Sequence, residues 1–205
     1  MVRFSEQKEA AKLGKYGSVI LLDYPSSEVK AADNKDIISE LYAIIKAASP
    51  DIMYIHNLAD KHITHVAAAI KTIHAIRLLP KDHRPKRLYG CEVWRSLDWM
   101  NDTDKTVFDV DKNKTLARKL LTVYESQISG AKKYDKAAIA RRLANSTFFE
   151  SVKMDSSKAL SFAMDLTPLI ENDSLDIAEH VNKYIESFKD EVLGNIYKLT
   201  GEKIK

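Results

Sequence analysis

Four residues that can bind a metal ion or move protons lie within ten positions of one another: His56, Asp60, His62 and His65. Neutral imidazole is the commonest protein ligand for zinc, and a catalytic zinc takes three protein ligands and one water. Such a water ionises near neutral pH, and a carboxylate base can direct it at a carbonyl carbon. The spacing of His62 and His65 puts both on one face of a helix, although histidine pairs at this spacing also occur without a metal.

A second group of chemically capable residues comprises Trp94, Arg95, Asp98 and Trp99. Aromatic faces beside a guanidinium suit a sugar or a phosphate. The alternative is that both indoles only close the edge of a sheet, because large rings fill such gaps well. His180 lies beside the apolar stripe of the last helix, and we expect it at the surface. That stripe is itself expected to be core or a dimer surface.

The elements that must position these residues alternate between short β-rich runs and longer segments of helical period. Strands are predicted at 18–24, 51–56, 87–93 and 106–110, with an ambiguous strand or extended segment at 159–166. Helices are predicted at 3–15, from 34 with Asp33 as N-cap, from 62 or 64 to 79, at 114–127, from 134 or 135 to 149, and at 174–199 with Asp173 as N-cap and Gly201 just past the end.

This alternation predicts an α/β, Rossmann-like fold of three layers with a mostly parallel sheet. Ligands bind outside the carboxyl ends of such strands. Two loops leave strand ends here, at 57–61 and at 94–100, and right-handed crossovers would open both on one edge. The two groups of residues are therefore expected to meet there.

Composition narrows the function classes. The 205 residues are 45% hydrophobic and 30% charged, with a formal net charge of +3, so one domain (1–205) is expected and nucleic acid is not an expected partner. The single cysteine, Cys91, excludes an internal disulfide and favours a reducing, cytoplasmic location. No apolar run is long enough for a membrane span.

The stretch DIMYIHNLADKHITH at 51–65, followed by VAAAI, resembles the second motif of the PIG-L (LmbE-like) zinc-dependent deacetylase family. Arg3-Phe4-Ser5-Glu6 resembles the R-x-x-E helix of that family, and LLDYPSS resembles the strand and loop after it. RPKRLYGCEVWRSLDW and SFAMDLTPL also look like segments of one bacterial branch, so the resemblance extends over nearly the whole chain.

The resemblance implies a hydrolase that removes an acetyl group from an N-acetylglucosamine unit or a similar amide with zinc-activated water. It implies that His65 binds Zn²⁺, that His62 supports the oxyanion or protonates the leaving amine, and that Asp60 orients a histidine. Arg3 is a candidate substrate contact, with an ion pair to Glu6 as the alternative. Trp94 and Arg95 are the remaining candidates for binding an N-acetylated sugar.

One departure stands against these matches: the first motif of the family, Ala-His-Pro-Asp-Asp-Glu, has no counterpart, since the sequence contains no His-Pro-Asp. It would supply two zinc ligands and the general base. We therefore expect N-terminal strands to be missing, the chain to be marginally stable or to form a homo-oligomer through the bared edge, and catalysis to need the missing part. His56 and Asp60 are candidate substitutes for the lost ligands. The alternative function is a degenerate, non-catalytic member that binds a carbohydrate or a partner protein through the Trp94–Trp99 edge.

Overall fold

A computed structural model of the chain describes residues 2–130, 132–149 and 157–201. It divides into two compact units, one formed by Met1–Tyr24 with Phe108–Ser161 and the other by Pro25–Val107 with Phe162–Lys205. The predicted single domain stays a prediction. The helices are α1 (Val2–Gly14), α2 (Ser26–Lys30), α3 (Asp36–Ala48), α4 (Ile63–Arg77), α5 (Lys114–Thr122), α6 (Tyr134–Phe148), α7 (Thr167–Glu171) and α8 (Ile177–Thr200), and the strands are β1 (Ile52–His56), β2 (Arg87–Cys91), β3 (Thr106–Asp109) and β4 (Leu160–Asp165).

The sheet has four strands in the order β1-β2-β4-β3, and helices flank it, so the predicted α/β class is confirmed. Strands β1 and β2 are parallel, with His56 opposite Cys91, and α4 is the crossover that parallel neighbours require. Strand β4, however, runs antiparallel to β2, with Tyr89 opposite Asp165. The expectation of a mostly parallel sheet is therefore imperfect. Periodicity does not set strand direction, because the long connection between β2 and β4 can return the chain to either end of the sheet.

The core of the second unit lies between the sheet and α4. Ile73 and Ile76 of the helix are fully buried, as are Leu88 of β2 and Phe162 of β4. Each such side chain contributes roughly 1.5–3 kcal/mol by leaving water. This burial fixes the crossover helix against β1 and β2, and the start of α4 consequently lies beside the end of β1.

Within the first unit, α1 ends at Gly14, one residue before the predicted end at position 15. The carboxylate of Glu6 accepts hydrogen bonds from the backbone N and from Oγ of Ser126, at 2.8 and 2.6 Å. Both atoms of Ser126 lie in the short turn after α5, and these bonds tie that turn to α1.

The predicted strand at 18–24 is wrong: these residues form no regular element. Ile20 is 56% exposed, and Asp23 has a φ of +57°, a left-handed conformation that interrupts an extended run. An apolar run becomes a strand only where a neighbouring strand accepts its backbone groups.

Helix α8 starts later than predicted, and its N-cap is Asp176 rather than Asp173. Asp176 Oδ1 accepts from the N–H groups of Ala178 and Glu179, whereas the Asp173 carboxylate pairs with Arg84 at 2.6 Å. Gly201 follows the helix with a φ of +74°, as the C-terminal signal predicts. Helix α3 also starts later than predicted: its N-cap is Lys35 rather than Asp33, and the Asp36 amide donates to Asn34 Oδ1 at 3.1 Å.

Candidate functional site

The candidate site lies where β1 ends and α4 begins, and a buried asparagine fixes the loop between them. Asn57 is fully buried, and both its backbone N and its Nδ2 donate to the Cys91 carbonyl at 3.0 Å. Its Oδ1 accepts from the Ala59 amide at 3.0 Å. The two bonds to Cys91 attach the loop to the end of β2 and so bring the loops after β1 and β2 together, while the bond from Ala59 closes the turn within the loop.

Asp60 lies at the centre of this edge, and its side chain is fully buried. Oδ1 accepts from the His62 amide at 3.0 Å, and Oδ2 accepts from the Trp94 amide at 3.2 Å and lies 3.4 Å from His65 Nδ1. Burial raises the pKa of Asp60, but the hydrogen bonds from both amides and from His65 outweigh it and hold the pKa below its usual value. The carboxylate is therefore ionised at neutral pH.

Three imidazoles stack beside this carboxylate. The ring centroids of His56 and His65 are 3.9 Å apart, and the two ring planes differ by only 8°. The His62 ring also stacks on that of His65, with a centroid distance of 4.6 Å. Burial lowers the pKa of His56, and the charge of the neighbouring His65 lowers it further. A neutral His56 ring keeps one nitrogen lone pair free to bind.

The donor set suits a divalent metal. His56, Asp60 and His65 each offer a ligand atom, and these atoms lie within 4.8 Å of one another. His56 Nδ1 is buried and has no hydrogen-bond partner among the described residues. Since a buried polar atom without a partner is costly, this nitrogen is suited to a group that binds at the site. Two imidazoles and one carboxylate form a typical zinc ligand set.

The loop after β2 brings one of the two predicted tryptophans to this site. The Trp94 side chain is 46% exposed, and its ring centroid lies 5.8 Å from that of His62. Arg95 is also exposed. Trp99 instead packs edge-on against Phe188 of α8, at 6.3 Å. Trp99 therefore packs against α8, whereas the ring of Trp94 is partly exposed beside His62; whether either binds a ligand stays a prediction.

Arg3 lies on α1, in the unit that does not contain the histidines. The Glu6 carboxylate accepts from Ser126, as described above, and the charge of Arg3 also contributes to lowering the pKa of Glu6. The structure thus leaves the predicted contact between Arg3 and substrate as a prediction.

Sequence reasoning missed Asn57 and Glu92. Glu92 Oε1 accepts from the Phe162 amide at 3.1 Å and Oε2 from the Leu97 amide at 3.4 Å, so it holds the Trp94 loop against β4. An asparagine directly after a strand is a recognised turn signal and could have pointed to Asn57. Glu92 carries no such signal.

His180, which the sequence placed at the surface, is buried with 2% of its area exposed. Its Nε2 donates to the Asp165 carbonyl at 2.8 Å, and Tyr184 OH donates to the same oxygen at 3.3 Å. These bonds dock α8 on the end of β4. The position of His180 next to an apolar stripe concealed this role, because the accepting carbonyl belongs to a distant strand.

Comparison with known proteins connects this geometry to a family. The family model PIG-L, described as GlcNAc-PI de-N-acetylase, matches residues 1–76, which include α1 and the whole histidine motif. The resemblance to PIG-L is therefore confirmed for that segment. Beyond residue 76 the resemblance stays a prediction.

A solved structure has a similar fold. It is the crystal structure of GalB, the 4-carboxy-2-hydroxymuconate hydratase from Pseudomonas putida KT2440, with 15% sequence identity and a TM-score of 0.52 over 80% of this chain and 71% of that chain. At this identity the likeness shows the fold alone. No curated protein sequence matches the chain. Among the described residues, no helix combines the length and apolar character needed to cross a membrane.

Proposed function

We propose that the chain is a zinc-dependent hydrolase that removes the acetyl group from an N-acetylglucosamine-type amide. The observation that carries the proposal is the contact between His65 and the buried Asp60 carboxylate, with His62 beside it, at the joined ends of β1 and β2. The PIG-L match over these residues supports the same chemistry. An N-acetylated sugar as partner and a cytoplasmic location belong to this proposal.

Each residue has a distinct part in the proposed reaction. His65 binds zinc, and the buried Asp60 carboxylate, 3.4 Å from His65 Nδ1, balances the charge of the cation. When bound, zinc supplies Lewis-acid polarisation and lowers the pKa of water. His62, at the start of α4, donates a hydrogen bond to the oxyanion or a proton to the leaving amine. The exposed ring of Trp94 lies next to His62, where it can stack on the apolar face of a sugar.

The experiment measures acetate release from N-acetylglucosamine and its conjugates by the metal-stripped chain after Zn²⁺ is restored, both alone and completed with a segment that carries the Ala-His-Pro-Asp-Asp-Glu motif. We expect His65→Ala to lower the rate by about 100-fold or more, and His62→Ala to lower kcat by about 100-fold, since removal of one oxyanion donor has this effect. His83→Ala, an exposed histidine paired with Asp82, is the matched control and leaves the rate unchanged. Acetate release that survives His65→Ala overturns the proposal.

The non-catalytic alternative is favoured by one observation, the exposure of Trp94 and Arg95 on the same loop. If it is correct, the chain binds an N-acetylated sugar without releasing acetate, and Trp94→Ala weakens that binding. Tryptophan fluorescence measures the binding, because Trp94 would be shielded by the sugar. Binding without hydrolysis in the presence of excess Zn²⁺ would replace the hydrolase proposal with this one.

A further inference from the structure

We infer that His56 and Asp60 bind the metal ion together with His65, so that the described residues alone supply a three-ligand site. The inference rests on the metal-dependent function proposed above and extends it by naming the ligands. The family resemblance assigns metal binding to His65 only, and places neither His56 nor Asp60 on the ion. Three observations from the structure support the additional ligands.

The first observation is the contact between His65 Nδ1 and Asp60 Oδ2, which measures 3.4 Å. Charge-assisted N–H···O bonds are normally about 2.7–2.9 Å long. Two donors that bind one tetrahedral zinc at about 2.0–2.1 Å must lie about 3.3 Å from each other. The separation is therefore long for a hydrogen bond between charged groups and suits two ligands of one ion, with the cation in place of the shared proton.

The second observation is the partnerless nitrogen of His56. Its Nδ1 is buried without a hydrogen-bond partner among the described residues, although both His65 and Asp60 offer atoms within 4.8 Å of a His56 nitrogen. The other buried polar groups at this edge, Asn57 and Asp60, have all of the bonds described above. A metal ion would give His56 the partner that the protein does not provide.

The third observation is the position of the Asp60 carboxylate. Its side chain is fully buried, its oxygens accept from the backbone amides of His62 and Trp94, and Oδ2 lies 3.4 Å from the His65 ring nitrogen Nδ1. None of these three partners is a lysine or an arginine. A buried carboxylate with such partners suits a divalent ion as its counter-charge.

Metal binding must change the histidine stack. The lone pairs of two parallel rings 3.9 Å apart point side by side, so the His56 ring has to tilt for Nδ1 to converge with the other two donors. This change gives a signal that does not depend on catalysis. The ring-proton NMR resonances of His56 and His65 should shift when one equivalent of Zn²⁺ is added, while those of exposed His83 should not.

The test is Zn²⁺ binding by the metal-stripped chain, measured by calorimetry and by metal analysis after dialysis. We expect one zinc per chain and a loss of affinity of at least about 100-fold in each of His56→Ala, His65→Ala and Asp60→Asn, above the roughly 10- to 100-fold that loss of an outer partner of a ligand costs. His83→Ala is the control, and circular dichroism checks that each variant is folded. Tetrahedral N/O ligation would also appear in the visible spectrum of the Co²⁺-loaded chain.

The outcomes separate this inference from the proposed hydrolase. If His56→Ala binds zinc as tightly as the wild type while His65→Ala does not, the three-ligand site is wrong and the hydrolase proposal stands. A wild-type chain that binds no zinc also overturns the three-ligand site. Acetate release with excess Zn²⁺ then decides separately whether the hydrolase proposal survives.

Discussion

Two histidines, one on α8 and one at the end of β1, differ in how their ring nitrogens are bonded. His180 is buried, donates to the Asp165 carbonyl at 2.8 Å and packs edge-on against Tyr184. His56 is half-buried, and its buried Nδ1 has no partner among the described residues. Burial lowers the pKa of both. Burial therefore does not distinguish a structural histidine from a candidate ligand, whereas the satisfaction of its nitrogens does.

The strongest way to break this comparison is to truncate both side chains. His180→Ala leaves a cavity and removes a bond to Asp165, so we expect it to lower the free energy of unfolding by about 3 kcal/mol. His56→Ala removes a polar atom without a partner and should change that free energy by less than about 1 kcal/mol.

Urea denaturation of the two variants and of the wild type measures this difference. We expect the opposite order for zinc affinity. His56→Ala should lower that affinity more than His180→Ala, because His180 lies outside the proposed ligand set. Equal destabilisation by both substitutions would mean that the distinction between the two histidines does not hold.

A substitution at Gly90 tests whether the site depends on close packing of β2 beneath the loop. A Cβ at this position would lie 2.9 Å from Asn57 Cα and 2.9 Å from Leu166 Cδ1. The Asn57 backbone is held by its hydrogen bond to the Cys91 carbonyl, so moving it away from the added Cβ would cost free energy. We expect Gly90→Ala to lower the free energy of unfolding by about 2 kcal/mol and to weaken zinc binding.

Gly194→Ala is the matched control, because nothing lies within 4 Å of its added Cβ and its position is inside α8. It should stabilise the chain by roughly 0.5–1 kcal/mol through helix propensity. A Gly90→Ala variant as stable as the wild type would show that the loop can move away from β2.

The smallest expected effect is the pH dependence that His180 confers. Burial lowers its pKa below the ordinary value of 6.5, against the opposing bond to Asp165, and Lys183 acts in the same direction as burial. Below pH 6.5 the unfolded chain therefore binds more protons than the folded chain, and the stability present above pH 6.5 is lost as the pH falls. The slope is at most about 1.4 kcal/mol per pH unit for one histidine.

The slope is measured by denaturing the metal-free chain at pH values from about 7.5 down to about 5. This range extends roughly one unit or more on either side of the ordinary histidine pKa. His56 and His74 have pKa values lowered in the same direction, so the comparison with His180→Ala isolates the share of His180. The stability gap between wild type and His180→Ala should narrow as the pH falls. A constant gap would contradict a lowered pKa for His180.

The sequence predicted much of the local structure and the grouping of the site residues, for physical reasons. β1 and α4 have clear periodicity, and a parallel pair with a helical crossover must bring residues 56–65 to the edge where β2 also ends. His56, Asp60 and His65 do lie together there. Their chemical roles remain proposals.

The errors arose where distant contacts decide the outcome. The run at 18–24 has the composition of a strand but finds no neighbouring strand, and the direction of β4 depends on a long connection. His180 is buried because one carbonyl of β4 meets α8. None of these contacts leaves a periodic signal in the sequence.

The attachment of Asn57 to β2 has a consequence for how this edge tolerates change. Asn57 donates to the main-chain oxygen of Cys91, so these hydrogen bonds do not depend on which side chain is present at position 91. The thiol there, with a pKa raised by burial to about 11, is a poor nucleophile and contributes little beyond its volume. Position 91 can therefore drift among small residues over evolutionary time, whereas position 57 must keep a side chain that both donates and accepts.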